Sequence, residues 1–220
     1  MLTDFYGNHL TTSTGLARDN YDIGLRAFLS ANYGAQEAFS QAVEADPNFS
    51  LAYLGLARSF MSSGEIDEAK RALAKAKNVL SVTTDREKSH FSCCELILSG
   101  QSQKARAAVY KHVSEWPRDA MIAQMNTSVF GLIGFSGKVG READLLEYTG
   151  KLMPHYGDDW WMMSMHAISL CETGQSLDSM KLMEKALNQN PRNANAAHFF
   201  AHILYEENEV SAGRDYLNAW

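Results

Sequence analysis

Residues 50–76, SLAYLGLARSFMSSGEIDEAKRALAKA, decide the fold of this chain. Leu51, Leu54, Ala57 and Phe60 recur at helical spacing. Ser62, Ser63 and Gly64 break the pattern, and Ile66, Ala69, Leu73 and Ala76 resume it on one face. Small side chains at Ala57, Ala69 and Ala76 let two antiparallel helices approach closely. One such hairpin leaves its apolar face in water, so it needs neighbours to stack on. The unit implies a repeat protein.

The prolines measure the repeat. Pro47, Pro117, Pro154 and Pro191 lie 70, 37 and 37 residues apart, which is two repeats and then one repeat each. A proline just past a helix end stops that helix and turns the chain. A period of about 34 residues is that of a tetratricopeptide-type hairpin. The reading outward from 50–76 gives an arm over 1–18, rich in Thr, Ser, Gly and Asn, and a repeat domain over 19–220. Its repeats span 20–47, 50–80, 86–117, 119–154, 158–191 and 193–220, the last one short. Ile23 and Gly24 stand at the large–small pair of the first helix, and Thr84 or Asp85 is placed to cap the helix that follows. Repeat four predicts helices over 119–133 and 141–153, joined by GFSGKVG. That linker reads as a turn, because a phosphate loop needs a preceding strand and the GxxxxGK[ST] spacing. In repeat five, Asp158 and Asp159 favour a helix N-terminus, and Trp160, Trp161, Met162, Met163 and Met165 make the helix apolar nearly all round, as buried helices are. No strand pattern or sustained heptad appears. The expected fold is all-α, an α-α superhelix: a right-handed solenoid of about six hairpins.

Composition narrows the function classes. Hydrophobic residues at 45% and charged residues at 21% suit a folded chain, and a net charge of -6 without a Lys/Arg run argues against nucleic acid or anionic membrane as partner. Three cysteines, two of them adjacent, make no disulfide framework, which points to a reducing, cytoplasmic setting. The first residues lack the basic start and apolar core of a secretory signal, and no apolar run reaches the roughly 20 residues a membrane helix needs.

In a hairpin solenoid the first helix of each pair lines the concave face. Setting these helices in register nominates Arg58, His90, Cys94, Gln124, Ser128, Trp161, Ser164, His198, His202 and Glu206 as groove residues. His198, His202 and Glu206 form a row at i, i+4 and i+8. The histidine spacing suits a metal ion, but Phe199 stands where HExxH has its glutamate, and Glu206 lies roughly 12 Å along the axis from His198. His90 and Cys94 form an i, i+4 pair of the kind that can make a base and a nucleophile, with no orienting third group evident. His166 falls at a core position, and the Trp–Met stripe reads as core, with Trp161 the aromatic candidate for recognition. No catalytic set assembles and no cofactor is expected. The expected function is a scaffold that binds a peptide or partner protein in the groove. The alternative is an enzyme or a metal- or small-ligand-binding protein whose His90, His198 and His202 are completed by a further C-terminal half. The short last helix, ending on Tyr216, Leu217 and Trp220, leads us to expect that the parent chain continues, that another chain covers this end, or that the chain dimerises there.

Three stretches carry a closer resemblance: LTTSTG at 10–15, DREKSH at 85–90, and AAHFFAHILYE around His198 and His202. In these, and in their order along nearly the whole chain, the sequence resembles the N-terminal half of the tetratricopeptide repeat protein 38 family. That resemblance implies a cytoplasmic, non-membrane protein with a superhelical groove.

Overall fold

The computed structural model describes residues 2–220, and among them it holds twelve α-helices and no strand. An isolated antiparallel bridge joins Thr3 and His9. The helices are α1 (Gly15–Leu29), α2 (Ala35–Ala45), α3 (Ser50–Ser62), α4 (Ile66–Asn78), α5 (Asp85–Leu98), α6 (Ser102–Glu115), α7 (Ala120–Ala123), α8 (Arg141–Tyr156), α9 (Trp160–Glu172), α10 (Ser176–Gln189), α11 (Ala194–Glu206) and α12 (Val210–Ala219). Two compact units divide them, one of Met1–Leu29 with Tyr33–Met125, the other of Ser30–Asn32 with Asn126–Trp220.

Two local devices recur. Within hairpins, Glu65, Gln101, Gln175 and Glu209 amides donate to carbonyls five residues back, at Phe60, Leu96, Leu170 and Leu204, over 2.8–3.0 Å. This closure needs a left-handed residue just past the helix end. Gly64 supplies it in the deciding stretch at φ 79°, and Asn208 takes the same role in the last hairpin at φ 62°. Between hairpins, Phe49, Asp119 and Asn193 amides donate to the carbonyls of Asp46, Trp116 and Asn190, closing four-residue turns with Pro47, Pro117 and Pro191 in second place. A fixed proline φ presets that position. Pro154 differs: it lies inside the last turn of α8, where only the amide bond to Gly150 is forfeited.

In the first unit, α1/α2, α3/α4 and α5/α6 pair as hairpins, and α3 packs on α2 and α5. The core centres on Phe39, whose ring occupies the space where Gly24 of α1 and Gly55 of α3 lack a Cβ; an added Cβ would stand 2.8 and 2.5 Å from it. Tyr21 meets Phe39 and Phe49 ring to ring at 5.6 and 5.3 Å. Gly24 is thus the small residue the sequence suggests, whereas Ile23 faces outward, the large core residues of α1 being Tyr21, Leu25 and Leu29. Thr84 caps α5 in a reciprocal capping box with Glu87.

In the second unit α9 is buried on most of its circumference and packs on α8, α10 and α11. Asp159 caps it by accepting from the Trp161 and Met162 amides at 3.1 and 3.0 Å. The helix expected over 119–133 is not continuous: α7 covers four residues, and short helical turns and bends follow. Ser128 stands in the left-handed region at φ 61°, and Gly134 lies so close to the Val129 carbonyl that an added Cβ would be 2.1 Å away. A backbone approach that close excludes a regular helix through these residues.

Candidate functional site

The first unit holds a polar cluster at the start of α5. Arg86, Glu87, His90 and Cys94 share one face of that helix, and all four are buried. Asp119, fourth residue of the Pro117 turn, occupies the position from which Asn193 caps α11 through the Ala196 amide at 3.2 Å. Its side chain makes no such cap. It turns inward instead, where Oδ2 lies 2.5 Å from an Arg86 guanidinium nitrogen, 3.0 Å from His90 Nδ1 and 3.2 Å from His112 Nε2. His112 Nδ1 in turn meets the Ser89 hydroxyl at 2.9 Å.

The electrostatics follow from that geometry. Burial by itself raises the Asp119 carboxyl, but the charge of Arg86 and hydrogen bonds from His90 and His112 outweigh it and hold it well below the usual carboxylate range. His90 is pushed below its ordinary value by burial, against the pull of Asp119. A neutral His90 donates from Nδ1 and leaves at Nε2 a lone pair without a polar partner among the described residues, a smaller cost than burying a second charge.

Over this cluster lies the N-terminal arm. Residues 2–10 fold into a small hairpin: the Asp4 carboxylate accepts from the Tyr6 and Asn8 amides at 3.0 and 2.8 Å, and the Leu10 amide donates to the Leu2 carbonyl at 3.0 Å. Tyr6 and Leu10 are buried. Side chains of the repeats then hold the arm largely by its main chain. Arg118 Nε donates to the Tyr6 carbonyl at 2.6 Å and Arg86 to the His9 carbonyl at 2.9 Å. The Thr11 amide and hydroxyl both donate to Glu87 Oε1, at 3.1 and 3.0 Å, and the Phe5 amide donates to Asp22 at 2.8 Å. The Thr12 hydroxyl donates to Asp46 at 2.5 Å. Two of the stretches singled out by sequence, 10–15 and 85–90, therefore meet.

The remaining candidates divide by unit. Arg58 reaches Gln124 Oε1 at 2.5 Å, with its guanidinium 5.4 Å from the Phe28 ring centre, and burial lowers its pKa. Cys94 is enclosed, and burial pushes its thiol up to about 12, far from the thiolate a nucleophile needs. Asp119 is the orienting group for His90 that sequence could not name, but it serves Arg86 and His112 as well. In the second unit Trp161 is fully buried with its ring 5.4 Å from Tyr156, and the buried Ser164 hydroxyl donates to the Trp161 carbonyl at 2.7 Å. Ser128 is buried and accepts from the Phe130 amide at 3.3 Å. His198 and Glu206 are exposed. His202 Nε2 lies 3.3 Å from Glu172 and 3.8 Å from Glu206, so the row of α11 sits beside carboxylates. His166, half-buried, meets the Thr149 hydroxyl at 2.9 Å. Tyr216 and Trp220 turn back onto their own unit: Tyr216 packs on Phe200 with ring centres 4.8 Å apart, and Trp220 Nε1 donates to the Pro191 carbonyl at 2.9 Å. Among the described residues no group of three His, Cys, Asp or Glu is placed to hold a metal ion.

Sequence reasoning passed over His112 and Asp119. The available signal was the repeated proline turn, which places Asp119 level with the capping Asn193.

A stack of helical hairpins with a closed polar face defines a helical-repeat protein. The family model for the tetratricopeptide repeat matches residues 34–79. PilW, described as a widely conserved type IV pilus biogenesis factor, has a similar structure: 15% identity, 93% of this chain and 91% of that one covered, TM-score 0.50. YrrB, described as a TPR protein with an unusual peptide-binding site, also matches, at 16% identity over 84% of this chain and 91% of that one, TM-score 0.46. The tetratricopeptide repeat is thus matched over residues 34–79, and the fold of the chain is that of an all-α helical-repeat protein.

Proposed function

We propose that this chain is a scaffold that binds an extended polypeptide segment of a partner protein, and that it works in the cytoplasm. One observation carries the reading: the first unit already grips such a segment, its own arm, through repeat side chains that take main-chain groups. Contacts of that kind serve any extended chain, and stacked hairpins present the long faces on which such segments lie. On the second unit we assign the contact surface to the open row of α11, with His198 and Glu206 exposed and His202 beside them. The compartment is inferred from three free cysteines; no described helix is long and apolar enough to cross a membrane.

The test is a display library of random dodecapeptides selected on the full chain, with binding of the enriched peptides measured by calorimetry. Micromolar binders, weakened severalfold by His198→Ala with His202→Ala when they engage α11, support the scaffold reading. Failure to enrich any peptide over an unfolded control removes it.

A further inference from the structure

We propose that the face beneath the arm is a recognition site for a partner segment with the arm's own chemistry, an aromatic residue followed four positions later by Leu and then by two hydroxyl residues, and that the arm keeps this site closed until displaced. The proposal rests on the scaffold reading above and gives it a location and a ligand class.

Three observations carry it. First, the grip is built before the ligand arrives. Arg86 is fixed by Asp119, Asp119 by His90 and His112, and Glu87 by the Thr84 amide at 2.9 Å through the oxygen that Thr11 does not use. A preorganised site spends little on ordering itself when a segment docks. Second, what the site reads is portable. Two carbonyls and two amides are main-chain groups, and the arm's own contribution is the buried Tyr6 and Leu10 with the Thr11 and Thr12 hydroxyls. A phosphate on either hydroxyl would face the carboxylate of Glu87 or Asp46, so the ligand is an unmodified segment. Third, closure is imperfect. Docking the arm desolvates Asp22 and Asp4, and burial raises both carboxyls, so part of the arm's hold is spent on two acids. The helices beneath pair as hairpins, α1/α2, α3/α4 and α5/α6.

A tethered arm competes at an effective concentration of about millimolar, so a free peptide should bind the wild-type chain poorly. The experiment is fluorescence anisotropy of a labelled peptide LTDFYGNHLTTST, residues 2–14, titrated with the full wild-type chain and with the full chain carrying Leu10→Asp and Thr12→Asp. The double substitution puts one charge in the Leu10 pocket and another against Asp46, which lifts the arm and leaves the site residues unchanged. Expected is binding at least tenfold tighter to the double variant, and none by a peptide carrying the same two substitutions. Equal binding to both chains, or none to a double variant that keeps wild-type helicity and a cooperative melt, overturns the proposal. Should that variant not fold, hydrogen exchange on the wild-type chain decides: the Phe5 and Thr11 amides should open at least a hundredfold more often than the α3 interior, and exchange at the α3 rate overturns it. Library peptides that bind without hastening Phe5 and Thr11 exchange would remove this site while leaving the scaffold reading in place.

Discussion

At the scale of the residue, the buried polar groups of the first unit are held by mutual satisfaction. Asp119 joins Arg86, His90 and His112 on a single carboxylate oxygen. Removing one member of a buried ion pair leaves the other charge without compensation, typically at 3–5 kcal/mol. Asp119→Ala is therefore expected to lower stability by about that amount in urea denaturation, and a loss below about 1 kcal/mol would mean that Arg86 finds another acceptor. Asp22 runs the other way. Its carboxyl is pushed up to about 6, first by burial and further by Asp4 and Asp19, against the Phe5 amide and Arg18. The folded value lies above the unfolded one, so the protonated form is favoured by folding and stability is lost as pH rises through about 6. Asp22→Asn should thus stabilise the chain most above pH 6, and the gain should shrink by about 1 kcal/mol on going to pH 4, a figure already reduced for partial exposure. A gain independent of pH would contradict the assignment.

At the scale of the element, α1, α2 and α3 are registered by one ring against two glycines. Phe39 fills the space beside Gly24 and Gly55, so a methyl group at either place must displace the ring. Gly55→Ala is expected to destabilise by about 1–3 kcal/mol from overpacking, less the roughly 1 kcal/mol that alanine returns in helix propensity. Phe39→Leu should cost stability alone yet relieve Gly55→Ala, and additive effects in that double-mutant cycle would refute the packing account. Much of this element was legible. The large–small alternation in 50–76 and the glycine breaks mark helices and turns, because their hydrogen bonds close within five residues. The face of each helix was less legible: Ile23 was expected inside and stands outside, and Trp161 was expected in a groove and lies in the interior.

At the scale of the whole molecule, acid should be the condition that opens the chain. His90 is fully buried with its pKa held below its ordinary 6.5 by burial, so the unfolded chain takes up that proton first. Its contribution is complete above pH 6.5 and declines as pH falls toward its folded value. Asp119, held low, adds a second loss below its ordinary 3.8. Between pH 7.5 and pH 5.5, where Asp22 acts in the opposite direction, the urea midpoint of the wild-type chain is expected to fall relative to that of His90→Gln, which has no proton to gain. A profile of equal slope in both would shift the acid sensitivity to other groups.

The sequence by itself determined that this is an all-α, tetratricopeptide-type stack of helical hairpins. Periodicity, glycine breaks and proline turns are local, and local forces write them in order along the chain. Only the tertiary structure decided that the first unit's face is occupied by its own arm, that Asp119 leaves its helix to gather Arg86 and two histidines, and that Arg58 and Cys94 are enclosed. Thr11 and Glu87 are 76 residues apart, Arg118 and Tyr6 are 112. Contacts at such separations leave no periodic trace, because what selects them is the desolvation of charge in a packed interior.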